Sequence, residues 1–565
     1  MPSKHCLGKE HEVINLLKCQ CHNVSIAFPE KDLFQKISLE VHDRQRVAIL
    51  GRNGSGKTTL LKILLGEVMP IEGVASIPAS YGYMPQGTSP SEDTLQELLC
   101  DANSYSKEVR KLLEDFHLTE LLQKPLKELS GGEKTKVAFL KAIRNDPAFL
   151  ILDEPTNYLD VESIKVMEAY LQSYSGAVLM ISHDRSFLDT QVEAIYHLHE
   201  GTLKKYTGNY TAFKKKRQEE LKKQQEDYMT YVKKRNALEE TAQGIAQRAN
   251  KYEGLSQNDY LKGRSKKLQA KAKAMKKRVA MMAVKERPPY EREVHLTFEK
   301  APDKTPGVLL RGEALGKSYD RLLFQDLHLQ VQEKDKIALL GANGAGKTTL
   351  MRLLLGEIPH EGQVHRSPSV KMAYLSQTLT GLQEDMTPLS FLQDTQKEEG
   401  ALRTLLGHLK IHGEKVFQPL QTFSYGEKLR VLLAKVLQSP CHLLILDEPT
   451  NFLDVETKEV FEEALKAYEG ALILITHDRT FLSKVATKIW HLQEQKLTVY
   501  DGSFEAYEAR KAAPEKNKDE ILLLKMRQAA LSQKLLTASK DQVPSLEADF
   551  FALAKEIHAL KKGTP

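Results

Sequence analysis

One ordered set of motifs occurs twice in this 565-residue chain, at an almost constant spacing. The segment Gly51-Arg-Asn-Gly-Ser-Gly-Lys-Thr58 returns 290 residues later as Gly341-Ala-Asn-Gly-Ala-Gly-Lys-Thr348. Leu-Asp153-Glu154-Pro-Thr-Asn157 and His183-Asp-Arg185 each return 294 residues later, as Leu-Asp447-Glu448-Pro-Thr-Asn451 and His477-Asp-Arg479. Solenoid repeats have periods of only about 20–50 residues. The repeat therefore predicts two whole domains of the same kind in one chain.

Short apolar runs alternate with helical patterns in both halves, which predicts α/β domains with largely parallel sheets. The runs 47–50 and 337–340 lead into the glycine-rich segments, 149–152 and 443–446 into the paired carboxylates, and 177–181 and 471–475 into the histidines. Ligands of such sheets bind beyond the carboxyl ends of the strands. The motifs are therefore expected to converge on one ligand in each half.

The glycine-rich segments have the pattern of a phosphate-binding loop. Their glycines permit close backbone approach to phosphates, Lys57 and Lys347 neutralise charge, and the following threonine offers a hydroxyl to Mg²⁺. The predicted nucleotide contacts are Gly51, Asn53, Gly54, Gly56, Lys57, Thr58 and Thr59, and Gly341, Asn343, Gly344, Gly346, Lys347, Thr348 and Thr349. One isolated match would be weak evidence, but here the downstream motifs follow in order in both halves.

The paired carboxylates predict metal binding beside hydrolysis. Asp153 and Asp447, each at a strand end, suit contact with Mg²⁺. Glu154 and Glu448 follow directly and are placed to orient or deprotonate a water that attacks the γ-phosphate. The alternative, four ordinary surface carboxylates, does not explain why both pairs end apolar strands.

Leu129-Ser-Gly-Gly-Glu-Lys134 precedes a predicted helix, where a serine followed by glycines forms an anion site. It resembles the signature motif of the ATP-binding cassette superfamily, in which two cassettes enclose two ATP molecules, each between one P-loop and the other signature. The resemblance implies a γ-phosphate site at Ser130, Gly131, Gly132, Ser424 and Gly426. It also implies that Gln86 and Gln377 contact Mg²⁺ and water, that His183 and His477 contact the γ-phosphate, that Asp160 and Asp454 form the D-loops, and that Tyr319 and Phe28 stack on adenine. A core position for Phe28 is an equal alternative.

The chain more closely resembles the ABC-F class, because it has two cassettes, no apolar stretch of membrane-spanning length and a charged helical linker. The resemblance implies a cytoplasmic ATPase that binds ATP and Mg²⁺, pairs its cassettes within a monomer, and needs no membrane partner. It implies binding to ribosomal RNA and P-site tRNA near the tRNA exit site and the peptidyl-transferase centre. Several members confer resistance to lincosamides, streptogramins A, pleuromutilins or related drugs by ribosome protection.

Two departures from the family pattern concern the sites themselves. The second signature has Tyr425 where the first has Gly131, which either crowds the γ-phosphate held by the first P-loop or is tolerated. The class has histidine where this chain has Tyr158 and Phe452. Neither departure removes a residue assigned to hydrolysis.

The segment between the cassettes differs in composition. Residues 214–287 contain 22 Lys/Arg against 9 Asp/Glu, a net charge of +13, whereas the whole chain has +6. Apolar stripes through Leu221, Tyr228, Tyr231, Leu238 and Ile245, and through Leu261, Leu268, Met275 and Met282 with Ala272 and Val279, predict an antiparallel helical hairpin. Its tip is expected at about 244–263, where Tyr252, Leu255 and Tyr260 either stack on RNA bases or pack the tip. The charge favours RNA phosphates over a solvated spacer.

These patterns predict a first cassette over residues 1–208, a linker over 209–300, a second cassette over 301–513 and a C-terminal helical hairpin over 514–565. Cys19 and Cys21 with His22 are interpreted as same-face strand positions instead of half a metal site, because no second ligand pair exists. The fold class is thus α/β, with tandem ATP-binding cassette domains joined by a basic α-helical hairpin.

Three other functions stay open at this point. A housekeeping translation factor that rescues stalled ribosomes would use the same enzyme. An energy-coupling ATPase of a transporter would leave the basic hairpin without a role. A DNA-repair ATPase with zinc modules would need Cys-x-x-Cys pairs, which the chain does not have.

Overall fold

A computed structural model describes residues 17–28, 31–87, 92–100, 107–254, 259–282, 296, 298–299, 307–319, 321–376, 379, 381–393, 398–450, 453–511, 524 and 553. These residues form two compact units. Unit 1 comprises 1–77, 177–180 and 188–294, and unit 2 comprises 78–176, 181–187 and 295–565, each within the described ranges. Unit 2 thus holds the helical part of the first cassette together with the second cassette. The predicted domain boundaries at 208, 300 and 513 stay predictions.

Unit 1 contains an antiparallel sheet and the strand that leads into the first P-loop. The sheet has the order β2-β1-β4, formed by β1 (Leu17–Phe28), β2 (Lys31–His42) and β4 (Glu72–Ser76). β3 (Arg46–Gly51) precedes α1 (Lys57–Leu64) and pairs in parallel with β8 (Ala194–His199), which pairs antiparallel with β9 (Thr202–Thr207). Cys19 and Cys21 are both buried in β1, which confirms the same-face interpretation.

The linker in unit 1 is the predicted helical hairpin. It consists of α7 (Tyr210–Gly254) and α8 (Asp259–Met281). At 1.5 Å per residue, α7 extends about 68 Å. The helices run further than predicted, because Gly244 and Gly263, expected to mark the tip, lie inside them; residues 255–258 lie outside the described part of the chain. Leu255 therefore lies outside the described residues.

The seam of the hairpin is built from small side chains. Ala242, Ala249, Ser265 and Ala272 are buried, while the larger members of the predicted stripes, such as Leu238 and Met275, are half-buried. Ser265 Oγ donates to the Ala249 carbonyl over 3.0 Å. Small residues seven positions apart allow the two backbones to approach closely, which explains why they are buried more deeply than the leucines.

Unit 2 carries the parallel sheet of the second cassette, in the order β14-β15-β16-β12-β17-β18. Its strands are β12 (Lys336–Leu340), β14 (Met372–Leu375), β15 (Leu443–Asp447), β16 (Ala471–Ile475), β17 (Lys488–Gln493) and β18 (Lys496–Asp501). All neighbours are parallel except β17 and β18. A separate antiparallel sheet has the order β11-β10-β13, from β10 (Val308–Ser318), β11 (Leu322–Gln332) and β13 (Glu361–Arg366).

The helices of unit 2 come from both cassettes. The first cassette supplies α2 (Leu95–Cys100), α3 (Lys107–Asp115), α4 (Gly131–Ile143) and α5 (Val161–Ser173), with parallel strands β5 (Tyr81–Met84) and β6 (Phe149–Asp153). β7 (Ala177–Ile181) and α6 (Arg185–Gln191) span both units. The second cassette supplies α9 (Lys347–Leu355), α10 (Pro388–Leu392), α11 (Glu399–His408), α12 (Tyr425–Leu437), α13 (Val455–Ala467) and α14 (Arg479–Val485).

The strands that deliver the motifs lie where the apolar runs predict them. β12, β15 and β16 are adjacent in the second sheet and almost entirely buried. Phe324, Ile473 and Trp490 are among the fully buried residues of this core. The P-loop, the paired carboxylates and the switch histidine therefore leave the sheet at one edge. Apart from Leu524 and Leu553, the predicted C-terminal hairpin lies outside the described residues.

Candidate nucleotide site

The second P-loop leaves β12 and ends at the first turn of α9. Gly344 and Gly346 have φ values of 77° and 100°, so this path requires left-handed backbone that glycine adopts without strain. Lys347 is buried, and its Nζ donates to the carbonyls of Gly341 (2.7 Å) and Ala342 (3.1 Å). Burial lowers the pKa of Lys347. The carboxylates of Glu448, Asp160 and Asp447 oppose this shift but do not cancel it. The loop thus holds a desolvated cation at its centre, as a phosphate site requires.

The residues predicted to hold Mg²⁺ in this cassette come together. Thr348 Oγ1 donates to Asp447 Oδ2 over 2.7 Å, which joins the P-loop to the end of β15. Burial raises the pKa of Asp447, while Thr348 and Lys347 oppose that shift. A hydroxyl and a carboxylate are oxygen ligands of the kind Mg²⁺ prefers. The pair therefore fits the ion.

Glu448, which follows β15, and His477, which follows β16, are in contact with each other. The His477 Nε2 and Glu448 Oε1 atoms are 3.3 Å apart, and both side chains are largely buried. Burial raises the pKa of Glu448 to about 8 and lowers that of His477 to about 3. Glu448 has φ 52°, a left-handed conformation rare for a residue with a side chain, and its N–H donates to Ile475. Such strain at a buried acid is typical of functional sites.

The first cassette repeats this geometry within unit 2. His183 Nε2 is 3.3 Å from Glu154 Oε1, and the His183 N–H donates to Glu154 Oε2 over 3.2 Å. Glu154 has φ 51° and donates its N–H to Ile181. Asp153 is buried at the end of β6. The glutamate and the histidine are thus in contact in both copies.

The first signature lies against the second P-loop. Ser130 caps α4 and forms a reciprocal capping box with Glu133. A Cβ on Gly132 would come within 2.3 Å of Asn343 Nδ2 and 2.7 Å of the Tyr158 carbonyl, so only glycine fits there. The N-terminus of α4, where backbone N–H groups can bind an anion, therefore lies against the predicted phosphate-binding loop.

The first D-loop also contacts the second P-loop. The Asn343 N–H donates to Asp160 Oδ2 (3.2 Å), and its amide Nδ2 donates to the Tyr158 carbonyl (2.7 Å). Tyr158 has φ 64°, a left-handed conformation that is rare for a residue with a side chain. Burial opposes ionisation of Asp160, but hydrogen bonds from Ser163 and Asn343 hold its pKa below its ordinary value. Asp160 and Asn343, which the resemblance assigns to one composite site, are thus in direct contact.

The second D-loop has different partners. Lys410 Nζ lies 2.8 Å from both carboxylate oxygens of Asp454 and 2.9 Å from Glu456. Burial would raise the pKa of Asp454, but Lys410 and Thr457 hold it at about 2. The two D-loops, equivalent by sequence, are therefore not equivalent in their electrostatics.

The first P-loop lies in unit 1 and has the same internal structure as the second. Lys57 Nζ donates to the carbonyls of Gly51 (2.7 Å) and Arg52 (3.0 Å), and Gly54 and Gly56 have φ values of 74° and 102°. Thr58 and Thr59 follow in α1. Asp153, Glu154, His183 and Gln86, its predicted partners in metal binding and hydrolysis, belong to unit 2.

The other predicted residues are placed as follows. Tyr319 is 58% exposed, and Lys317 Nζ lies over its ring, 4.9 Å from the centroid. Phe28 ends β1, and Gln86 is exposed after β5. Ser424 caps α12 through a capping box with Glu427, ahead of Gly426. Burial, and then the nearby Tyr158, raise the pKa of Tyr425. Gln377, Phe452 and the Phe28 side chain lie outside the described part of the chain.

Sequence reasoning missed the ionic contacts between the cassettes in unit 2. Arg185 forms a two-point pair with Glu462, and Arg479 forms one with Glu168. The signal was available, because both arginines and both glutamates recur at the same offset of 294 residues. What the sequence could not show is that each arginine reaches the glutamate of the other copy.

Comparison with known proteins agrees with this geometry. The family model described as "ABC transporter" matches residues 34–157 and 324–451, which contain both P-loops and both carboxylate pairs. The "Ribosome protection protein VmlR" of Bacillus subtilis is 31% identical over 95% of this chain and 97% of its own length. The chain belongs to the ATP-binding cassette family. Its paired cassettes and helical insert place it in the ABC-F class, and it is an ATPase that binds ATP.

Other matches also extend over most of this chain. The "Putative ATP-binding protein YdiF" of Bacillus subtilis is 31% identical over 94% of this chain and 88% of its own length. Among solved structures, "RNase-L Inhibitor" (TM-score 0.57, 18% identity, 88% of this chain and 93% of that chain) has the same tandem cassettes. "Model of ribosome-bound archaeal Pelota and ABCE1" is similar (TM-score 0.55, 19% identity, 86% and 78%). At these identities the two structures support the fold. Within the described residues, no helix has the length and apolar character that a membrane crossing requires.

Proposed function

We propose that this protein is a cytoplasmic, ribosome-bound ATPase that acts near the tRNA exit site and the peptidyl-transferase centre. The observation that carries the proposal is the basic hairpin between two ATP-binding cassettes. On α8, Lys271, Lys273, Lys276, Lys277 and Arg278 are all exposed within about two turns. Cations at this density bind RNA phosphates with an affinity that is largely electrostatic. The name of the 31% identical relative, a ribosome protection protein, supports the same partner.

The tip of the hairpin offers one accessible aromatic side chain. Tyr260 is 71% exposed, whereas Tyr252 is half-buried and has the Arg264 guanidinium 5.2 Å from its ring centroid. Aromatic rings stack on unpaired RNA bases. Of the two alternatives for the tip, RNA contact is therefore proposed for Tyr260 and packing for Tyr252.

Each composite site is proposed to hydrolyse ATP with the residues of its own cassette. Glu448 and Glu154 orient or deprotonate the attacking water, and His477 and His183, 3.3 Å from them, contact the γ-phosphate. We propose Mg²⁺ as the cofactor, held by Thr348, Asp447 and Gln377 in one site and by Thr58, Asp153 and Gln86 in the other. When bound, the ion neutralises charge on the β- and γ-phosphates.

Within this function, we propose antibiotic resistance by ribosome protection as the cellular task. ATP closes the cassettes, which sets the angle of the hairpin against ribosomal RNA beside the P-site tRNA, and hydrolysis releases the protein. The drugs expected to be displaced are lincosamides, streptogramins A, pleuromutilins or related inhibitors. The proposal treats the protein as a monomer whose cassettes pair within the chain.

The test uses Glu154→Gln combined with Glu448→Gln, which retains ATP binding but removes both carboxylates that act on water. This variant is expected to co-sediment with ribosomes in the presence of ATP, whereas the wild-type protein is released after turnover. A Glu463→Gln variant, altered on the exposed side of α13 outside the nucleotide site, is the matched control and should be released like the wild type. Failure of the double variant to co-sediment at low salt would exclude the proposal.

Drug susceptibility separates resistance from a housekeeping role. Expression of the wild-type gene in a susceptible host should raise the inhibitory concentration of at least one of these drug classes, and the double variant should not. Unchanged inhibitory concentrations across all classes, with ribosome trapping intact, would favour a translation factor that rescues stalled ribosomes.

A further inference from the structure

The hairpin is bonded at its root to the helix that follows the first switch histidine. Asp189 lies on α6, six residues after His183. Asp189 Oδ1 accepts the Thr211 N–H over 2.7 Å, and Asp189 Oδ2 accepts the Thr211 hydroxyl over 2.7 Å. Thr211 is the second residue of α7. Both carboxylate oxygens therefore hold the first turn of the hairpin to α6 within unit 1.

The first turn of α7 depends on this carboxylate. The first N–H groups of a helix have no partner within the helix. Asn209 Oδ1 accepts the Ala212 N–H over 3.1 Å, whereas the Thr211 N–H is bonded to Asp189. A negative charge at this end of a helix is also favoured by the helix dipole. Asp189 thus acts as a cap for α7 that is supplied by a different helix.

The second cassette has the same contact with donor and acceptor exchanged. Ser483 on α14 and Glu505 lie 294 residues after Asp189 and Thr211. Glu505 is the second residue of the helix 504–511. A hydrogen bond from the Ser483 side chain lowers the pKa of Glu505. The carboxylate lies on the switch helix in the first copy and on the following helix in the second, yet the contact recurs.

The α6 helix connects the first catalytic pair with the root of the hairpin. Only Asp184 separates α6 from His183, whose Nε2 is 3.3 Å from Glu154 Oε1 in unit 2. The other end of α6 belongs to unit 1 and carries Asp189. Helices are stiff elements that transmit displacement along their length. A movement of His183 therefore reaches Asp189 without an intervening loop.

A second anchor holds α7 to the sheet of the first cassette. Glu220 accepts from Lys204 Nζ over 2.7 Å and from Tyr206 Oη over 2.8 Å. The Phe213 ring packs against the Tyr206 ring, with 5.0 Å between the centroids. These partners lie on β9, which carries no switch residue. Loss of this anchor would therefore loosen the hairpin root without altering α6.

We infer that Asp189 transmits the state of the first nucleotide site from the switch histidine to the hairpin, so that bound ATP orders the first turn of α7. This role rests on the proposed function, because His183 is expected to contact the γ-phosphate. It deepens that function by naming the bond that carries the signal and the turn that receives it.

The test is amide hydrogen exchange of the Glu154→Gln and Glu448→Gln protein, with and without ATP and without ribosomes. In this parent, ATP is expected to slow exchange in both 183–191 and 210–213. Asp189→Ala should speed exchange in 210–213 about five- to tenfold, as loss of a helix cap does, and abolish the ATP response there. The response in 183–187 should persist. A parent whose 210–213 segment ignores ATP, or an Asp189→Ala variant that keeps the full response, would overturn the inference.

A swap of the two side chains separates this bond from general loosening. Thr211→Glu alone places a second carboxylate against Asp189, so the ATP response in 210–213 should be lost. Thr211→Glu with Asp189→Ser gives the first cassette the pair that the second has in Ser483 and Glu505. The response should then recover to about half or more of the parent's. A double variant no better than Thr211→Glu would contradict the role of the bond.

Glu220→Gln is the matched control, because it removes the carboxylate of the anchor on β9. Exchange around residue 220 should accelerate with or without ATP, while the ATP response in 210–213 should equal the parent's. A control that also loses this response would mean general loosening and overturn the inference. Since no ribosome is present, failure of the parent to co-sediment with ribosomes would contradict the proposed function alone.

Discussion

At the scale of the residue, burial of Glu448 favours its neutral form, whereas its proposed role as a base requires the carboxylate. Its carboxyl has a pKa of about 8 in the folded protein against an ordinary value of 4.5. The folded state therefore retains the proton more strongly than the unfolded chain, and stability falls as the pH rises from about 4.5 to about 8. Above about pH 8 Glu448 is ionised in both states, and the folded state bears the full free-energy cost of burying its charge.

Glu448→Gln is accordingly expected to stabilise the nucleotide-free protein at pH 9 but not at pH 4. At pH 4 the wild-type glutamate is protonated in both states, so the amide replaces a neutral group by a neutral group. The gain at pH 9 should appear as a rise in Tm on the order of 2–4 °C by calorimetry. Equal Tm differences at the two pH values would contradict the assigned ionisation. Glu463→Gln, exposed on α13, is the matched glutamate-to-glutamine control.

At the scale of the element, the sequence predicted the strands and motifs but not the seam of the hairpin. β12, β15 and β16 were predictable because buried parallel strands are continuous apolar runs. The seam was not, because Ala242, Ala249 and Ser265 are weakly apolar and carry little periodic signal. Their burial depends on the approach of the opposite helix, which local sequence does not encode.

Ala249→Leu is therefore expected to separate α7 from α8. The larger side chain has no space at a fully buried position whose carbonyl accepts a hydrogen bond from Ser265, and overpacking of this kind costs about 1–3 kcal/mol. Amide hydrogen exchange should accelerate in 242–272 while exchange in β12 and β15 is unchanged. Lys251→Leu places the same side chain on the exposed face nearby, and its exchange should match the wild type. Protection that persists in Ala249→Leu would contradict the packing described here.

At the scale of the whole molecule, the repeat at 294 residues predicted two cassettes and a composite site. The family resemblance assigned Gly132, Asp160 and Asn343 to one nucleotide site, and in unit 2 Asn343 lies against both Gly132 and Asp160. It did not predict how the two copies diverge at Lys410 and Lys458. Each of these lysines lies against a carboxylate that is distant in sequence, so local sequence does not predict the contact.

The most direct measurement is the salt dependence of ribosome binding by the Glu154→Gln and Glu448→Gln protein with ATP. Neutralising Lys271, Lys273, Lys276 and Lys277 to Gln should weaken binding and make the slope of log affinity against log salt shallower, by about 0.7–0.9 for each phosphate that is no longer neutralised. Neutralising Lys62, Lys111, Lys141 and Lys334, exposed on the cassettes, should change neither quantity. If the hairpin variant instead keeps the affinity and slope of its parent, the hairpin does not act on ribosomal RNA and the account is wrong.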